Sequence, residues 1–297
     1  PDVALISVAV GACRKAERWA EALGVLASLL ASRAVPDARS CCGPVLMECE
    51  QRGHLASEIA ILLGPVAAAA RAGAGAPAAA NAAVSRLLVE GRAREAEVLL
   101  NEVAVQGVFD GASAALWNVC GIASPVPSAG LPSADSIPFK TPYQKELKLL
   151  RHVLAMARPG DPSSVAEAVE HFGDRVLGTT RLWLKIAGNV KAEILVAAAR
   201  AARGGGAVLE VGAYCGYSAV RMSAALPGVH LVTLEMDPIH VVVARNVVAF
   251  AGLVGSVDVW TGHSHDLFPR LLARYRLGPR SGAFSAVFMD QRGSAYS

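Results

Sequence analysis

Two carboxylates and two glycines stand where predicted strands end. The segment VLEVGAYCGYSAVRM (208–222) begins as an apolar strand that ends at Glu210, and Gly212 and Gly216 flank the turn into a helix. A second apolar strand ends at Glu235. A glycine turn lets the backbone approach a ligand, and an acid at the end of the next strand accepts hydrogen bonds from ribose hydroxyls. These residues predict a nucleoside pocket at the carboxyl edge of a parallel sheet.

Two later strands also end in polar groups. The third is followed by TGHSHD (261–266), and the fourth ends at Asp290. The glycine spacing is G-x-x-x-G, whereas dinucleotide-binding turns carry G-x-G-x-x-G. A nicotinamide-dependent enzyme is therefore the disfavoured alternative.

Alternating strands and helices position these groups. Strands are predicted at 207–212, 230–235, 257–260 and 286–290, and helices at 217–225, 238–251 and 264–275. Strand–helix alternation is typical of a parallel sheet covered on both faces. We therefore predict an α/β fold with a doubly wound, mainly parallel, Rossmann-like sheet.

Three helices are predicted before the first strand. The first carries the stripe Leu147, Leu150, Val153 and Leu154. Asp161 with Pro162 starts the second, which Gly173 is expected to end. The third, 191–203, is expected to turn Ile194, Leu195 and Ala198 inward.

The N-terminal third is predicted to be helical and repetitive. Residues 1–110 show amphipathic segments with a period of roughly 35 residues, which is typical of an α-solenoid. The run C-x-K-x-x-x-W-x-x-A-L (13–23) and the Pro-Asp pairs resemble pentatricopeptide repeats. That family reads RNA bases, but no basic stripe is evident here, so a helical scaffold is favoured over RNA binding. Residues 111–142, rich in Pro, Ser and Gly, are predicted to be a linker.

Residues 143–297 closely resemble the catechol O-methyltransferase family of S-adenosylmethionine-dependent class I methyltransferases. The resemblance rests on VLEVGAYCGYSAVRM, LVTLEMDP, FAGLVGSVDVWTGHSHDLFP and VFMD, with LLRHVLAMARPGDPSSVAEAV upstream. It implies Mg²⁺-assisted methyl transfer from S-adenosyl-L-methionine to a small catechol or phenol. It does not cover the helical N-terminal region.

The resemblance also implies residue roles. Glu235 would hold the ribose, Trp183 would wall the catechol pocket, and Asp290 would be one of three magnesium ligands. The other implied cofactor contacts are Ala187, Glu210, Gly212, Tyr214 and Ser218 near the methionine end, and Gly262, His263, Ser264, His265 and Gln291 near the adenine; Asp290 is grouped with them.

The sequence departs from the family pattern at positions that the family uses for catalysis. Whether this chain itself catalyses methyl transfer is therefore an open question at this point. The family's general-base lysine position is Gly293, Lys185 replaces a methionine, and the catalytic residue is therefore unassigned. Four of the family's seven strands are present, so the domain is expected to be incomplete at its C-terminus. The alternative is a non-catalytic helical-repeat scaffold, or an RNA-binding protein, with a relic methyltransferase domain.

Composition excludes some classes of protein. Among 297 residues, 53% are hydrophobic and 18% charged, which excludes general disorder. The net charge of +3 is near neutral, and no apolar run is long enough to span a membrane. The six cysteines show no C-x-x-C pair. Reduced thiols and the absence of a visible targeting segment lead us to expect a cytoplasmic protein, although the sequence does not begin with Met.

Overall fold

In the computed structural model of the chain, a four-stranded parallel sheet lies at the centre of the C-terminal half. The structure describes residues 3–31, 37–69, 75–105, 117–118, 121, 138–140, 142–178, 180, 182–201, 206–274 and 284–290. Within these residues the strands are β1 (Ala207–Val211), β2 (Leu231–Glu235), β3 (Val257–Thr261) and β4 (Phe284–Met289). Their order is β3-β2-β1-β4. The predicted α/β class and parallel sheet are confirmed.

The strands form where apolar runs are bounded by turns. Successive side chains along each strand point to opposite faces of the sheet, so the sheet has core residues on both faces. Leu209 and Val211 of β1 face the side that the helix Ser264–Arg274 covers through Leu267 and Leu271. Glu210 faces the opposite side, where it contacts the helix that follows β1. This helix therefore holds the carboxylate beneath the first strand–helix turn.

Helices connect and cover the strands in the described C-terminal half. Their bounds are α8 (Gln144–Met156), α9 (Pro162–His171), α10 (Val190–Ala201), α11 (Tyr217–Ala225), α12 (Pro238–Phe250) and α13 (Ser264–Arg274). Asp161 caps α9 by accepting from the Ser164 N–H, as its sequence predicts. These helices follow the predicted order.

Two expectations about the helices before β1 were wrong. Gly173 does not end α9, because the chain continues through a π-helical turn, Phe172–Leu177. A β-carbon at Gly173 would lie 3.4 Å from Leu184, which is an ordinary van der Waals contact, so the packing here does not require a glycine. In α10 the buried positions include Leu195, whereas Ile194 and Ala198 are exposed and line a cleft.

The described N-terminal residues are helical, as predicted. Their bounds are α1 (Val3–Lys15), α2 (Trp19–Ala31), α3 (Gly43–Arg52), α4 (Leu55–Ile61), α5 (Ala67–Ala69), α6 (Gly75–Val89) and α7 (Ala93–Val105), with π-helical turns at Ala38–Cys42 and Leu62–Val66. Helices α1 and α2 pack together, as do α6 and α7. The pentatricopeptide-like repeat and the domain boundaries stay predictions.

The N-terminal helices share one core with the sheet domain. Helix α6 packs on α12, and the buried Asn246 side chain donates to the Ala78 carbonyl at 2.9 Å. Trp117, from the predicted linker, is fully buried and donates to Asn81 at 3.1 Å. Most of that linker lies outside the described residues. No helix in the described ranges has both the length and the apolar character needed to cross a bilayer.

Candidate functional site

The turn after β1 requires glycine at two positions. Gly212 has φ +107° and Gly216 has φ +80°, which is backbone that favours glycine. A β-carbon at Gly216 would also meet the Ala244 backbone at 3.3 Å. Tyr214 between them has φ +50°, so the turn is tightly curved and exposes its backbone to the adjacent cleft.

Glu210 lies beneath this turn and is fully buried. Its carboxylate accepts hydrogen bonds from Ser218 and from Thr233, the latter at 2.5 Å. Burial raises the pKa of Glu210 to about 7, although both hydroxyl donors act to lower it. Glu210 therefore ties β1, β2 and α11 together, and the described cleft residues include neither Glu210 nor Ser218.

Glu235, at the end of β2, is held by backbone donors. Its two oxygens accept from the Tyr214 N–H at 2.8 Å and the Asp237 N–H at 2.9 Å. Burial acts to raise the pKa of Glu235, but His240, 3.9 Å away, and these N–H groups lower it overall. The carboxylate is therefore ionised at neutral pH and fixed in one orientation.

The Tyr214 side chain is held in place by contacts with Glu146 and His240. Its hydroxyl donates to Glu146 of α8 at 2.8 Å, and its ring packs edge-on against His240. Burial and the charge of Glu146 raise the pKa of the Tyr214 hydroxyl, which stays protonated. Helix α8 thereby fixes the turn on which Glu235 depends.

A cleft of about 730 Å³ opens at these strand ends. It brings together six of the predicted site residues, namely Trp183, Ala187, Gly212, Tyr214, Glu235 and Asp290. Its position is fixed by the end of β4, because the Asp290 N–H donates to the Val211 carbonyl at 2.9 Å. The cleft therefore lies along the carboxyl edge of β1, β2 and β4.

The cleft also contains residues that sequence reasoning did not assign to it. Ile194 and Phe288 add apolar wall, and Lys191 adds a cation beside Asp290. The sequence pattern assigns Ile194 to the buried face of its helix and Phe288 to a strand, so neither is predicted to line the cleft. Lys185, noted only as a departure, lies in the same wall.

Asp290, which directly follows β4, is a partly exposed residue of the cleft lining. Burial raises the pKa of Asp290, and the charge of Lys191 acts to lower it. Within the described ranges, no group of three His, Cys, Asp or Glu side chains converges as a metal site. The described residues alone do not supply a magnesium site, and the predicted metal role of Asp290 stays a prediction. Gln291 and Gly293 lie outside the described residues.

The loop predicted to lie along adenine is on the other side of the β2 end. The Gly262 N–H donates to the Glu235 carbonyl at 2.8 Å, but Gly262 and His263 line a separate cavity with N-terminal helices. Ser264 begins α13, and His265 is exposed. The structure therefore does not bring this loop into the Glu235 cleft, and its contact with adenine stays a prediction.

Comparisons with known proteins identify the C-terminal region. A family model described as O-methyltransferase matches residues 193–297. Catechol O-methyltransferase of Mus musculus is 40% identical over 147 residues, 49% of this chain and 52% of that protein.

More distant relatives agree with this match. Catechol O-methyltransferase B of Danio rerio is 34% identical over 183 residues, 61% of each chain. Transmembrane O-methyltransferase of Homo sapiens is 34% identical over 134 residues, 44% of each chain. The chain thus spans about half the length of the curated relatives it matches. Residues 193–297 thus match an O-methyltransferase family model, and the chain is similar to methyltransferases of the catechol O-methyltransferase kind.

Proposed function

We propose that this protein is an S-adenosylmethionine-dependent O-methyltransferase that acts on a catechol-type hydroxyl. The single observation that carries the proposal is Glu235, an ionised carboxylate fixed by two backbone N–H groups and facing the same cleft as Gly212. A carboxylate in this position accepts hydrogen bonds from the two hydroxyls of a ribose.

The cleft fits the sugar and methionine portions of the cofactor. Gly212 has no side chain, so its backbone lies open to a ligand beside Glu235. The bound cofactor supplies a methyl group on a positively charged sulfur. Tyr214 and Ala187 contribute the neighbouring wall, and the ionised Glu235 favours a cationic ligand.

The acceptor end is proposed to lie toward Trp183. The indole, Ile194 and Phe288 offer apolar surface for a flat aromatic ring. Holding the ring against these walls would align one hydroxyl with the methyl group, and such alignment lowers the barrier to transfer. Asp290 is the proposed ligand of the implied magnesium ion among the described residues. The remaining ligands of a complete metal site would have to come from residues outside the described ranges.

The test is methyl transfer by the full chain. The chain is incubated with methyl-labelled S-adenosylmethionine, Mg²⁺ and catechol, and the expected product is the monomethyl ether. The Glu235→Ala variant should transfer less label at a limiting cofactor concentration. A folded chain that binds the cofactor product but transfers no label would overturn the assigned activity.

A further inference from the structure

A cavity of about 420 Å³ lies one residue beyond the Glu235 cleft. Glu235 lines the cleft, whereas the next residue, Met236, lines the cavity and is 41% exposed. The two spaces therefore adjoin at a single peptide unit at the end of β2. A sugar held by Glu235 would therefore lie beside the strand end that also borders this second space.

The N-terminal helices form the outer wall of the cavity. Its walls include Ser7, Gly11 and Arg14 of α1, and the segment from Arg39 to Met47. Opposite them stand Met236, Gly262 and His263 of the sheet domain. None of the N-terminal wall residues belongs to the region 193–297 that matches the O-methyltransferase family.

Specific contacts hold this wall in place. Arg39 donates to the Asp237 carboxylate at 2.9 Å, and Arg14 pairs with Asp266 at 3.1 Å. A β-carbon at Gly43 would lie 3.0 Å from the Met236 carbonyl oxygen, so the segment approaches the β2 end as closely as a glycine permits.

Deeper contacts fix the same helices. Buried Glu50 of α3 accepts from Arg245 at 2.9 Å and from the Thr261 hydroxyl at 2.8 Å. Met47 is nearly fully buried among Leu234, Trp260 and Leu267. These buried contacts therefore hold the N-terminal helices in place as part of the cavity wall.

The chemistry of the cavity suits an uncharged heterocycle. Both arginines in its wall, Arg14 and Arg39, are paired with carboxylates, which cancels the charge that a phosphate would need. The exposed Met236 thioether supplies polarisable surface for a flat ring. Hydroxyl and imidazole groups at Ser40 and His263 supply hydrogen-bonding capacity.

We propose that the N-terminal helices complete the nucleobase end of the cofactor site, with the purine of an adenine nucleoside between Met236 and α1. This inference rests on the proposed function, because it takes the ribose to be held by Glu235. It adds that residues of the N-terminal helices, outside the region 193–297 that matches the family model, determine cofactor affinity. The N-terminal helices are then a binding element and not an appended scaffold.

Two helical glycines provide a matched test. Gly11 of α1 lines the cavity, and a β-carbon added there meets nothing within 4 Å. Gly24 of α2 has the same open surroundings but is outside the cavity wall. The Gly11→Phe variant should fill the cavity, whereas Gly24→Phe places the same side chain in solvent. The Gly11→Leu variant is a smaller filling substitution in case Gly11→Phe does not fold.

The measurement is calorimetric titration of the full chain and each variant with S-adenosylhomocysteine. We expect a dissociation constant raised roughly tenfold or more by Gly11→Phe, less by Gly11→Leu, and within about twofold of wild type for Gly24→Phe. Equal affinity in all variants, or equal weakening by the Gly11 and Gly24 substitutions, would overturn the inference. Absence of binding to the wild-type chain would instead overturn the proposed function.

Discussion

The backbone N–H of Tyr214 donates to the Glu235 carboxylate at 2.8 Å, joining the turn after β1 to the end of β2. Tyr214 makes this contact from within the tight turn, where its own φ is +50°. The residue that would hold a ribose is thus oriented by the same turn that leaves Gly212 open to the cleft. This hydrogen bond therefore couples the Gly212 turn to Glu235, the two parts of the candidate cofactor site.

Glu235→Ala should weaken binding of S-adenosylhomocysteine. Hydrogen bonds to a charged group contribute about 1.5–3 kcal/mol, which corresponds to a loss of roughly 10- to 150-fold in affinity. Titration calorimetry measures the change. Glu97→Ala, an exposed glutamate on α7, is the matched control and should bind as wild type does. An unchanged dissociation constant for Glu235→Ala would contradict the ribose assignment.

The acceptor end of the cleft should prefer a catechol that carries a carboxylate. Lys185 and Lys191 both line the cleft and bring two positive charges to it. An exposed ion pair contributes about 0.2–1 kcal/mol, so a preference of up to roughly fivefold is expected.

The comparison uses 3,4-dihydroxybenzoate and 4-methylcatechol, titrated into the chain saturated with S-adenosylhomocysteine. Lys191→Met should reduce the preference for the acid, whereas Lys140→Met, outside the cleft wall, should preserve it. Equal binding of both catechols to the wild-type chain would show that these lysines do not face the acceptor.

The buried pair of Glu50 and Arg245 should matter for stability. Their side chains are 1% and 3% exposed, so Glu50→Ala leaves the Arg245 charge buried without its carboxylate. Breaking such a pair costs about 3–5 kcal/mol of unfolding free energy. The exposed pair of Arg18 and Glu21 is the control, and Glu21→Ala should cost far less than Glu50→Ala. Urea denaturation measures the free energy of unfolding of both variants. Similar losses for Glu50→Ala and Glu21→Ala would show that the buried pair does not stabilise the packing of the N-terminal helices on the sheet domain.

Glu210 should make the folded state less stable as pH rises. Its pKa is raised by burial from 4.5 to about 7, so between these values the folded chain binds more protons than the unfolded chain. Stability from this group is present below about pH 4.5 and is lost as pH rises through about 7, with a slope of at most about 1.4 kcal/mol per unit.

The contribution is isolated by the Glu210→Gln variant, which cannot titrate. Denaturant unfolding at several pH values should show a flatter pH dependence for Glu210→Gln than for wild type. Glu167→Gln, on the exposed side of α9, should retain the wild-type slope. A wild-type slope in Glu210→Gln would indicate that Glu210 is ionised throughout this range.

Local sequence features were enough to predict the sheet domain. Apolar runs end sharply at Val211 and Glu235, and Asp161 and Asp237 mark helix starts through their own side-chain caps. Each of these signals acts within a few residues of the chain. The strand ends, and with them the cleft residues Gly212, Glu235 and Asp290, could therefore be located from the sequence.

Features that depend on tertiary contacts could not be predicted. Ile194 and Leu195 are both strongly apolar, and only the packed structure decides that Leu195 is buried while Ile194 is 64% exposed. The contact of Arg39 with Asp237 joins residues far apart in sequence. No local pattern indicates that the N-terminal helices would cover the Gly262 loop.

Titration of the full chain with S-adenosylhomocysteine, and separately with NAD, tests the central claim most directly. The account predicts saturable binding of one S-adenosylhomocysteine per chain and no binding of NAD. A folded chain that takes up NAD, or that releases no heat with S-adenosylhomocysteine across a range of temperatures, would contradict it.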